Sequence, residues 1–384
     1  MFNDNRLSDP APAEAMQAVS APTYRAFGTF RLVLAMVVVL GHGAWLAPDH
    51  LPANAVMRIH AGSTAVLAFF VLSGFILAEA ASTFYRGRAM ALMKNRVIKI
   101  VPPFLGALAV SLAVHRVLAH FGLLSAGIGF EGYKQLPDMW SARNLLYNPV
   151  SVLPFLMPDR MTDYVGEIYL FVRYVWAINA EMMFYLFIGL FVLFRGSIGR
   201  TRLPTLAGTL ALAVLYLYAA WHQKPWFYVT YAPFFVLGVS IHAVARHKGW
   251  QLPLVASAAL SLVGAARLIG GGNVLRDPGL VTLPVLLGIL VFAMFCGLVV
   301  VLSRATVPAS LRRLDRSLGD LSYAVYLNHY VVLVLFSALV GESRGAALWM
   351  AALLAALVLS ALMQLVIERP LAGLRARIRG AALA

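Results

Sequence analysis

Two ionisable side chains lie in the first long apolar run of the chain, which reads FRLVLAMVVVLGHGAW. Arg31 opens the run and His42 follows eleven positions later. On an α-helix this separation returns to nearly the same face and covers about 16 Å of the axis. Ionisable groups inside a membrane are costly and tend to mark function, and an imidazole titrates near neutral pH. The spacing favours chemistry along one helix face. The alternatives are an interfacial anchor for Arg31 and a hydrogen-bonded packing histidine for His42.

Three other apolar runs also carry polar or small residues. Ser73 and Gly74 interrupt the run STAVLAFFVLSGFILAEA, where small residues are typical of close helix packing. The run WAINAEMMFYLF places Glu181 near mid-membrane with Asn179 close by. A buried carboxylate there must be paired or protonated. The run LSYAVYLNHY supplies three more polar side chains: Asn328, His329 and Tyr330.

The composition indicates which elements hold these residues. Hydrophobic residues make up 61% of the chain and charged residues 12%, too few charges to cover a soluble domain. Apolar runs long enough to cross about 30 Å of hydrocarbon recur from residue 29 almost to the C-terminus. We therefore predict an all-α polytopic membrane protein of about ten transmembrane helices. The predicted spans are 28–47, 62–82, 100–121, 169–194, 203–221, 227–245, 252–270, 280–303, 320–340 and 346–368.

The distribution of charge predicts the orientation. The formal net charge is +15, and the basic residues concentrate in alternate loops between the predicted spans. Such a pattern indicates basic cytoplasmic loops rather than a nucleic-acid binder, and by the positive-inside rule both termini are cytoplasmic. The even number of predicted helices agrees with this orientation.

The chain divides into one membrane domain with two flanking segments. We predict a disordered cytoplasmic segment over 1–25, a transmembrane domain over 26–370 and a basic cytoplasmic tail over 371–384. The hydrophilic stretch at about 122–168 is the expected extracytoplasmic loop. The first helix has no convincing cleavage site after it, so we expect it to be retained.

These runs resemble the motifs of the membrane acyltransferase-3 family. The pair Arg31 and His42, with ten residues between them, resembles its R-x10-H signature. The stretch FFVLSGFIL resembles its second-helix motif. KNRVIKIVPPF resembles the basic entry to its third helix, with Lys99 where arginine is more usual. WAINAEMMFY is similar to the pattern W-S-L-S-x-E-x-x-F-Y, but Ala177 and Asn179 replace the serines. LSYAVYLNHY and IERP resemble its late-helix and terminal motifs, and all the pieces occur in the family's order after residue 25.

The resemblance implies a donor and a place for it. Such proteins transfer an acyl group, usually acetyl from cytoplasmic acetyl-CoA, to a sugar hydroxyl of an envelope or exported glycan. We expect Arg31, Arg96 and Lys99 to hold the phosphates of the donor, with Ser73 and Gly74 also in its binding site. The long pantetheine arm would then run between helices toward the imidazole. No metal is expected.

The resemblance also implies catalytic roles. His42 is the expected general base, which deprotonates the acceptor hydroxyl, and a covalent acyl-histidine is the alternative. Glu181 is expected to orient His42 or to hold the acceptor, and His329 to hydrogen-bond the thioester oxygen or the sugar. Three further side chains are assigned to the acceptor: Asn328, Tyr330 and Asn179.

The expected partners are an acyl-CoA, a saccharide acceptor and membrane lipid, with no nucleic acid, in the bacterial cytoplasmic (inner) membrane. A polysaccharide or lipid-linked saccharide leads as acceptor. Peptidoglycan, a lipochitooligosaccharide and a small secondary metabolite stay open. The main alternative function is a secondary transporter or flippase-like protein, and a non-catalytic assembly subunit is a third. A transporter would favour internal repeats with broken helices in matching positions, which the sequence does not show.

Overall fold

The computed structural model describes residues 24–48, 58–124, 139–156, 168–195, 202–224, 226–245, 249–341 and 343–380. Within these ranges the regular structure is helical, apart from one isolated bridge between Arg25 and Thr306. The fold is therefore all-α, as predicted. Most of the segment predicted to be disordered lies outside the described residues.

Twelve α-helices follow one another along the described chain. The first six are α1 (Phe27–His42), α2 (Ala61–Ser82), α3 (Ala89–His120), α4 (Ala142–Val150), α5 (Val175–Arg195) and α6 (Arg202–Trp221). The second six are α7 (Phe227–Val244), α8 (Gln251–Gly270), α9 (Leu283–Leu302), α10 (Ala309–Val340), α11 (Ala346–Met363) and α12 (Arg369–Arg379). A π-helical turn, Gln364–Glu368, joins the last two.

Eight helical stretches in the described chain are long and apolar enough to cross a membrane. These are α2, α3, α5, α7, α8, α9, α10 and the continuous stretch from α11 to α12. The helix α1 and the described part of α6 are apolar but shorter. Each of the ten predicted spans overlaps one of these helices. The number ten and the sidedness of the termini stay predictions.

Two helices begin well before the predicted spans. Helix α3 starts at Ala89 rather than 100, and α10 starts at Ala309 rather than 320, so both have 32 residues. Hydropathy detects only the apolar part of a helix. The early turns carry arginines, lysines and aspartates that suit a helix outside hydrocarbon. Arg96 and Lys99, which we had placed in the basic loop before the third span, are consequently fixed on α3.

The predicted fourth span is wrong over its first six residues, because residues 169–174 are not helical and α5 begins at Val175. Side chains of neighbouring helices take up the backbone hydrogen bonds of this segment, as described below. The expected extracytoplasmic loop has its own short helix, α4, in its described part. Ser141 caps that helix by accepting a hydrogen bond from the Asn144 backbone N–H at 3.2 Å.

Helix α1 packs between α2 and α10 and is capped by a residue of α10. The Asp315 carboxylate accepts hydrogen bonds from the backbone N–H groups of Gly28 (2.9 Å) and Thr29 (2.7 Å). It also accepts one from the Thr29 hydroxyl at 2.7 Å. The first N–H groups of a helix lack internal partners, and a carboxylate there is favourable. This cap fixes the register of α1 against α10.

Helices α2 and α7 approach closely at two glycines. A Cβ on Gly74 would clash with the Phe235 carbonyl oxygen, and one on Gly238 would clash with the Val71 carbonyl oxygen. Small residues allow such backbone contact between apolar helices. Gly74, which we expected in the donor site, therefore lies at a helix–helix contact.

Helix α12 forms the described part of the predicted basic tail and packs against the start of α3. Asn95 donates a hydrogen bond to the Arg375 carbonyl at 2.8 Å. Arg88 donates to the carbonyls of Arg379 and Ile378, each at 3.0 Å. The tail is thus a part of the helical body as far as residue 380.

Candidate active site

Two imidazoles from distant parts of the chain meet at the end of α1. His42 is the last residue of that helix, and its Nδ1 lies 3.0 Å from Nε2 of His329 on α10. The Nδ1 of His329 lies 2.8 Å from the carbonyl oxygen of Tyr326 and 3.3 Å from that of Val325. His329 is fully buried. Contacts with carbonyl oxygens of α10 therefore fix the His329 ring.

The two carbonyl contacts determine the proton positions on the pair. A carbonyl oxygen only accepts hydrogen bonds, so Nδ1 of His329 must carry a hydrogen. In neutral His329, Nε2 is then the acceptor, and Nδ1 of His42 must be the donor. In neutral His42, the remaining nitrogen, Nε2, is then left without a hydrogen. This atom is the one that can take up a proton or attack an acyl group.

An aromatic ring covers both imidazoles. The Tyr174 ring stacks on His42 with 4.1 Å between centroids and 6° between planes. The same ring lies 5.2 Å from the His329 ring at 11°. The two imidazoles are themselves nearly coplanar, at 14°. Tyr174 belongs to the non-helical segment before α5.

A partly open cavity of about 90 Å³ approaches this pair at Tyr326, one helical turn before His329. Helices α1, α2, α3, α5 and α10 line it. Four of its lining residues are ionisable: Arg31, Arg96, Lys99 and Glu181. Its uncharged polar lining includes Ser73, Tyr185, Ser322, Tyr323 and Tyr326. The cavity thus collects three cations around one carboxylate.

Two of the cations have unused hydrogen-bond donors. The Nε atoms of Arg31 and Arg96 are buried and have no hydrogen-bond partner among the described residues. Buried polar groups in native proteins are nearly always paired, so these donors are available to a bound group or to water. The Arg96 guanidinium lies 5.1 Å from the centre of the Tyr185 ring, which supports it by a cation–π contact. A guanidinium in this setting binds carboxylate or phosphate oxygens best.

Gly319, which has no side chain, leaves room for the guanidinium of Arg31. A Cβ on Gly319 would lie 2.8 Å from Nη2 of Arg31 and 2.7 Å from Cα of Gly28. Gly319 itself lines the cavity. The guanidinium of Arg31 therefore reaches the cavity past a glycine of α10.

Glu181 contacts Ser73 and Tyr185 rather than the imidazole. Its Oε1 accepts a hydrogen bond from the Ser73 hydroxyl at 2.6 Å and another from the Tyr185 hydroxyl. The side chain that contacts Nδ1 of His42 is instead that of His329. Glu181 and Ser73 remain together in the cavity, across the contact between α5 and α2.

One tyrosine links the cavity to the imidazole pair. Tyr326 lines the cavity, and its carbonyl oxygen accepts from Nδ1 of His329. Its hydroxyl donates to the carbonyl oxygen of Tyr174 at 2.9 Å. His42 is not among the described residues that line the cavity. The cavity therefore extends from Arg31 to a residue one helical turn from His329.

Three side chains that we assigned to the acceptor have packing contacts. Asn179 donates to the carbonyls of Ser151 (2.9 Å) and Leu153 (2.5 Å) and accepts from the Tyr228 hydroxyl at 2.7 Å. These bonds tie α5 to the segment after α4. Asn328 and Tyr330 are buried as well.

Asn328 points toward the end of α11. Its Nδ2 lies 3.5 Å from the Met363 sulfur, and its Oδ1 is buried without a hydrogen-bond partner among the described residues. Tyr330 packs edge-on against Tyr174, with 5.8 Å between ring centres and 90° between planes. Tyr330 thus supports the ring that covers the imidazoles.

Sequence reasoning missed Tyr174, Tyr326 and Gly319. The position of Tyr326, one turn before His329 in the late-helix motif, is a signal that pointed to the same helix face. Nothing in the sequence marks Tyr174, because its place depends on the packing of α4. Among the described residues, no group of three or more metal-ligating side chains is present.

Comparison with known proteins identifies the family. The acyltransferase-3 family model, described as an acyltransferase domain, matches residues 25–365. A curated relative, Acyltransferase MdmB of Streptomyces mycarofaciens, is 27% identical over 354 residues, which cover 84% of each chain. No solved structure matches the chain. Because the family model spans nearly the whole chain, the protein belongs to this acyltransferase family.

Proposed function

We propose that the protein is a membrane O-acyltransferase in which Nε2 of His42 is the catalytic base. The acyl group, with acetyl as the first candidate, comes from an acyl-CoA and goes to a sugar hydroxyl of an envelope or exported glycan. One observation carries the proposal: Nδ1 of His42 lies 3.0 Å from Nε2 of His329, whose own Nδ1 contacts the Tyr326 carbonyl. In the neutral pair this arrangement leaves Nε2 of His42 unprotonated. A base needs this protonation state near neutral pH.

The cavity supplies the donor site in this proposal. Coenzyme A carries phosphate charges at one end and the thioester at the end of the pantetheine arm. Arg31, Arg96 and Lys99 bind the phosphates, because cations with unpaired donors favour anionic oxygens. The arm extends past Ser73 and Glu181 toward Tyr326. The thioester then lies next to His42, eleven residues and about 16 Å of helix from Arg31.

His42 performs the proton transfers. Its Nε2 takes the proton of the acceptor hydroxyl as that oxygen attacks the thioester carbonyl. His329 accepts the Nδ1–H of the resulting imidazolium and keeps it oriented. When the carbon–sulfur bond breaks, Nε2 returns the proton to the departing sulfur. An acyl-histidine on Nε2 is the alternative route, which uses the same atom.

The orientation in the membrane follows from charge. We place the cation-rich ends of α3 and α10 and helix α12 in the cytoplasm, where acyl-CoA is found. The segment with α4 lies on the opposite side, where a polysaccharide or lipid-linked saccharide would enter. The host membrane in this proposal is the bacterial cytoplasmic membrane.

The test uses protein purified in nanodiscs with acetyl-CoA as the probe and water or added saccharides as acceptor. We expect His42→Gln to lower turnover about 10²–10⁴-fold and keep binding, and Arg31→Ala to weaken binding. Matched controls are His120→Gln and Arg304→Ala, since both side chains are exposed and lie outside the site. Wild-type protein that neither binds nor consumes acetyl-CoA or longer acyl-CoAs would overturn the proposal.

A further inference from the structure

Two asparagines of α4 bind the backbone of residues 168–174, here called the strap. Asn144 Oδ1 accepts the Tyr169 N–H at 2.7 Å, and its Nδ2 donates to the Tyr169 carbonyl at 3.1 Å. Asn148 Nδ2 donates to the same carbonyl at 2.8 Å, and its Oδ1 accepts the Phe171 N–H at 2.9 Å. The two amides are four residues apart, so they lie on one helix face. Together they pair with both N–H and C=O groups of the strap backbone.

Helix α3 holds the other side of the strap. The Ser111 hydroxyl donates to the Phe171 carbonyl at 2.5 Å. His115 Nε2 lies 2.9 Å from the Tyr169 hydroxyl. All four polar side chains of α3 and α4 that contact the strap are at most 1–2% exposed. A buried polar network with its hydrogen bonds made fixes one conformation of the groups it binds.

The strap leads directly to the ring that covers the imidazole pair. Tyr174 stacks on His42 and His329 at 6° and 11°, so one ring plane sets the orientation of both imidazoles. The Tyr174 carbonyl also accepts from Tyr326, whose own carbonyl accepts from His329. The strap therefore contacts the pair directly through the Tyr174 ring, and its backbone is linked to His329 only through Tyr326.

We propose that Tyr174 is a positioning residue that keeps His42 and His329 coplanar, and that Asn144 and Asn148 act through it. The inference rests on the proposed function, because it requires His42 to be the reactive group. A hydrogen bond between two imidazole nitrogens needs the hydrogen to lie in the plane of both rings. Rotation of either ring breaks this alignment and allows His42 to place its hydrogen on the other nitrogen. Stacking by Tyr174 prevents that rotation.

The ring and not the hydroxyl of Tyr174 carries this role. Tyr174→Phe keeps the stacked ring, so turnover should stay within about twofold of wild type. Tyr174→Leu removes it, and we expect turnover of acetyl-CoA to fall about tenfold or more while the donor dissociation constant changes less than twofold. We expect the same lower turnover, with nearly unchanged acetyl-CoA affinity, for Asn148→Asp. Its carboxylate can still accept a hydrogen bond from the Phe171 N–H but cannot donate one to the Tyr169 carbonyl.

A matched control separates positioning from general stability. Asn273 is also a buried asparagine that donates to a backbone carbonyl, that of Trp221 at 3.0 Å, but it has no contact with the strap. Asn273→Ala should lower thermal stability and leave the turnover per folded molecule unchanged. If Asn148→Asp and Asn273→Ala reduce turnover equally, or if Tyr174→Leu turns over as wild type does, the inference is overturned.

A second readout needs no activity. In protein with ¹⁵N-labelled histidine, the ring nitrogen shifts report which nitrogen of His42 carries hydrogen, and His42→Gln assigns the signal. We expect a single Nδ1–H form in wild type and in Tyr174→Phe, and a mixture in Tyr174→Leu. An identical single form in Tyr174→Leu would contradict the inference. Wild-type protein inactive on every acyl-CoA, with the expected spectra, would overturn only the proposed function.

Discussion

The Nδ1 of His42 lies 3.0 Å from Nε2 of His329, 287 positions later in the chain. His42 ends the first helix, and His329 is fully buried in the middle of a 32-residue helix. The contact divides the roles of the two histidines. His329 has both ring nitrogens engaged by protein atoms. In the proposed mechanism it orients His42, whose other ring nitrogen performs the proton transfers.

Replacement of His329 should therefore slow acyl transfer without loss of donor binding. We expect His329→Leu to lower turnover about 10²-fold or more, since a misoriented base loses much of a contribution of about 10²–10⁴. His329→Gln should recover part of this loss, because a glutamine oxygen can still accept from His42. Steady-state kinetics with acetyl-CoA, at several donor concentrations, would measure both variants. Equal loss in the two variants would argue against an orienting hydrogen bond.

Gly319 should be required for donor affinity. In Gly319→Ala the new methyl group would lie 2.8 Å from Nη2 of Arg31 and 2.7 Å from Cα of Gly28, so both the guanidinium and the start of α1 must shift. We expect the dissociation constant for acetyl-CoA to rise about tenfold, the effect of roughly 1.4 kcal/mol. Gly297→Ala on α9 is the control, because nothing lies within 4 Å of its added Cβ. Calorimetric binding would decide, and unchanged affinity with intact folding would remove Arg31 from the donor site.

The negative charge of Glu181 should lower the affinity for acetyl-CoA. Glu181→Gln keeps an acceptor for the Ser73 and Tyr185 hydroxyls but removes the negative charge that faces three cations. We expect acetyl-CoA to bind about two- to fivefold more tightly, with turnover little changed, since exposed charge pairs are worth up to about 1 kcal/mol. A loss of turnover as large as that of His42→Gln would make Glu181 a catalytic residue instead.

Asp315 should stabilise the protein by capping α1. Asp315→Asn removes the charge beside the helix N-terminus and one of the two oxygens that accept from Gly28 and Thr29. We expect a loss of about 1–2 kcal/mol in the free energy of unfolding, typical of a lost cap. Thermal unfolding in detergent would show a lower midpoint. An unchanged midpoint would mean that packing alone sets the register of α1.

The apolar runs predicted the positions of the membrane helices because each run has the length and composition that hydrocarbon selects. Hydropathy failed where charged turns extend a helix, as at Ala89 and Ala309. It also failed over the strap, whose residues are apolar enough for a helix. There the side chains of Asn144, Asn148 and Ser111 satisfy backbone groups that have no helical partner.

The sequence singled out several residues that line the cavity or form the imidazole pair, but it did not predict which of them contact one another. The helical spacing of Arg31 and His42 fixed the direction from the cation to the base along α1. The partner of His42 depends on how α1 packs against α10, which no local pattern reports. We expected Glu181 to orient His42 or to hold the acceptor. Its carboxylate accepts a hydrogen bond from Ser73 across the α5–α2 contact, and a role toward the acceptor stays a prediction.

The most direct test of the account is a double-mutant cycle on the imidazole pair. Acetyl-CoA turnover would be measured for wild type, His42→Gln, His329→Gln and the double variant in nanodiscs. If His329 acts only by orienting His42, the double variant should be no slower than His42→Gln alone, because the partner's role disappears with the base. Losses that multiply in the double variant, or a His42→Gln protein as active as wild type, would contradict the claim that this pair performs the chemistry.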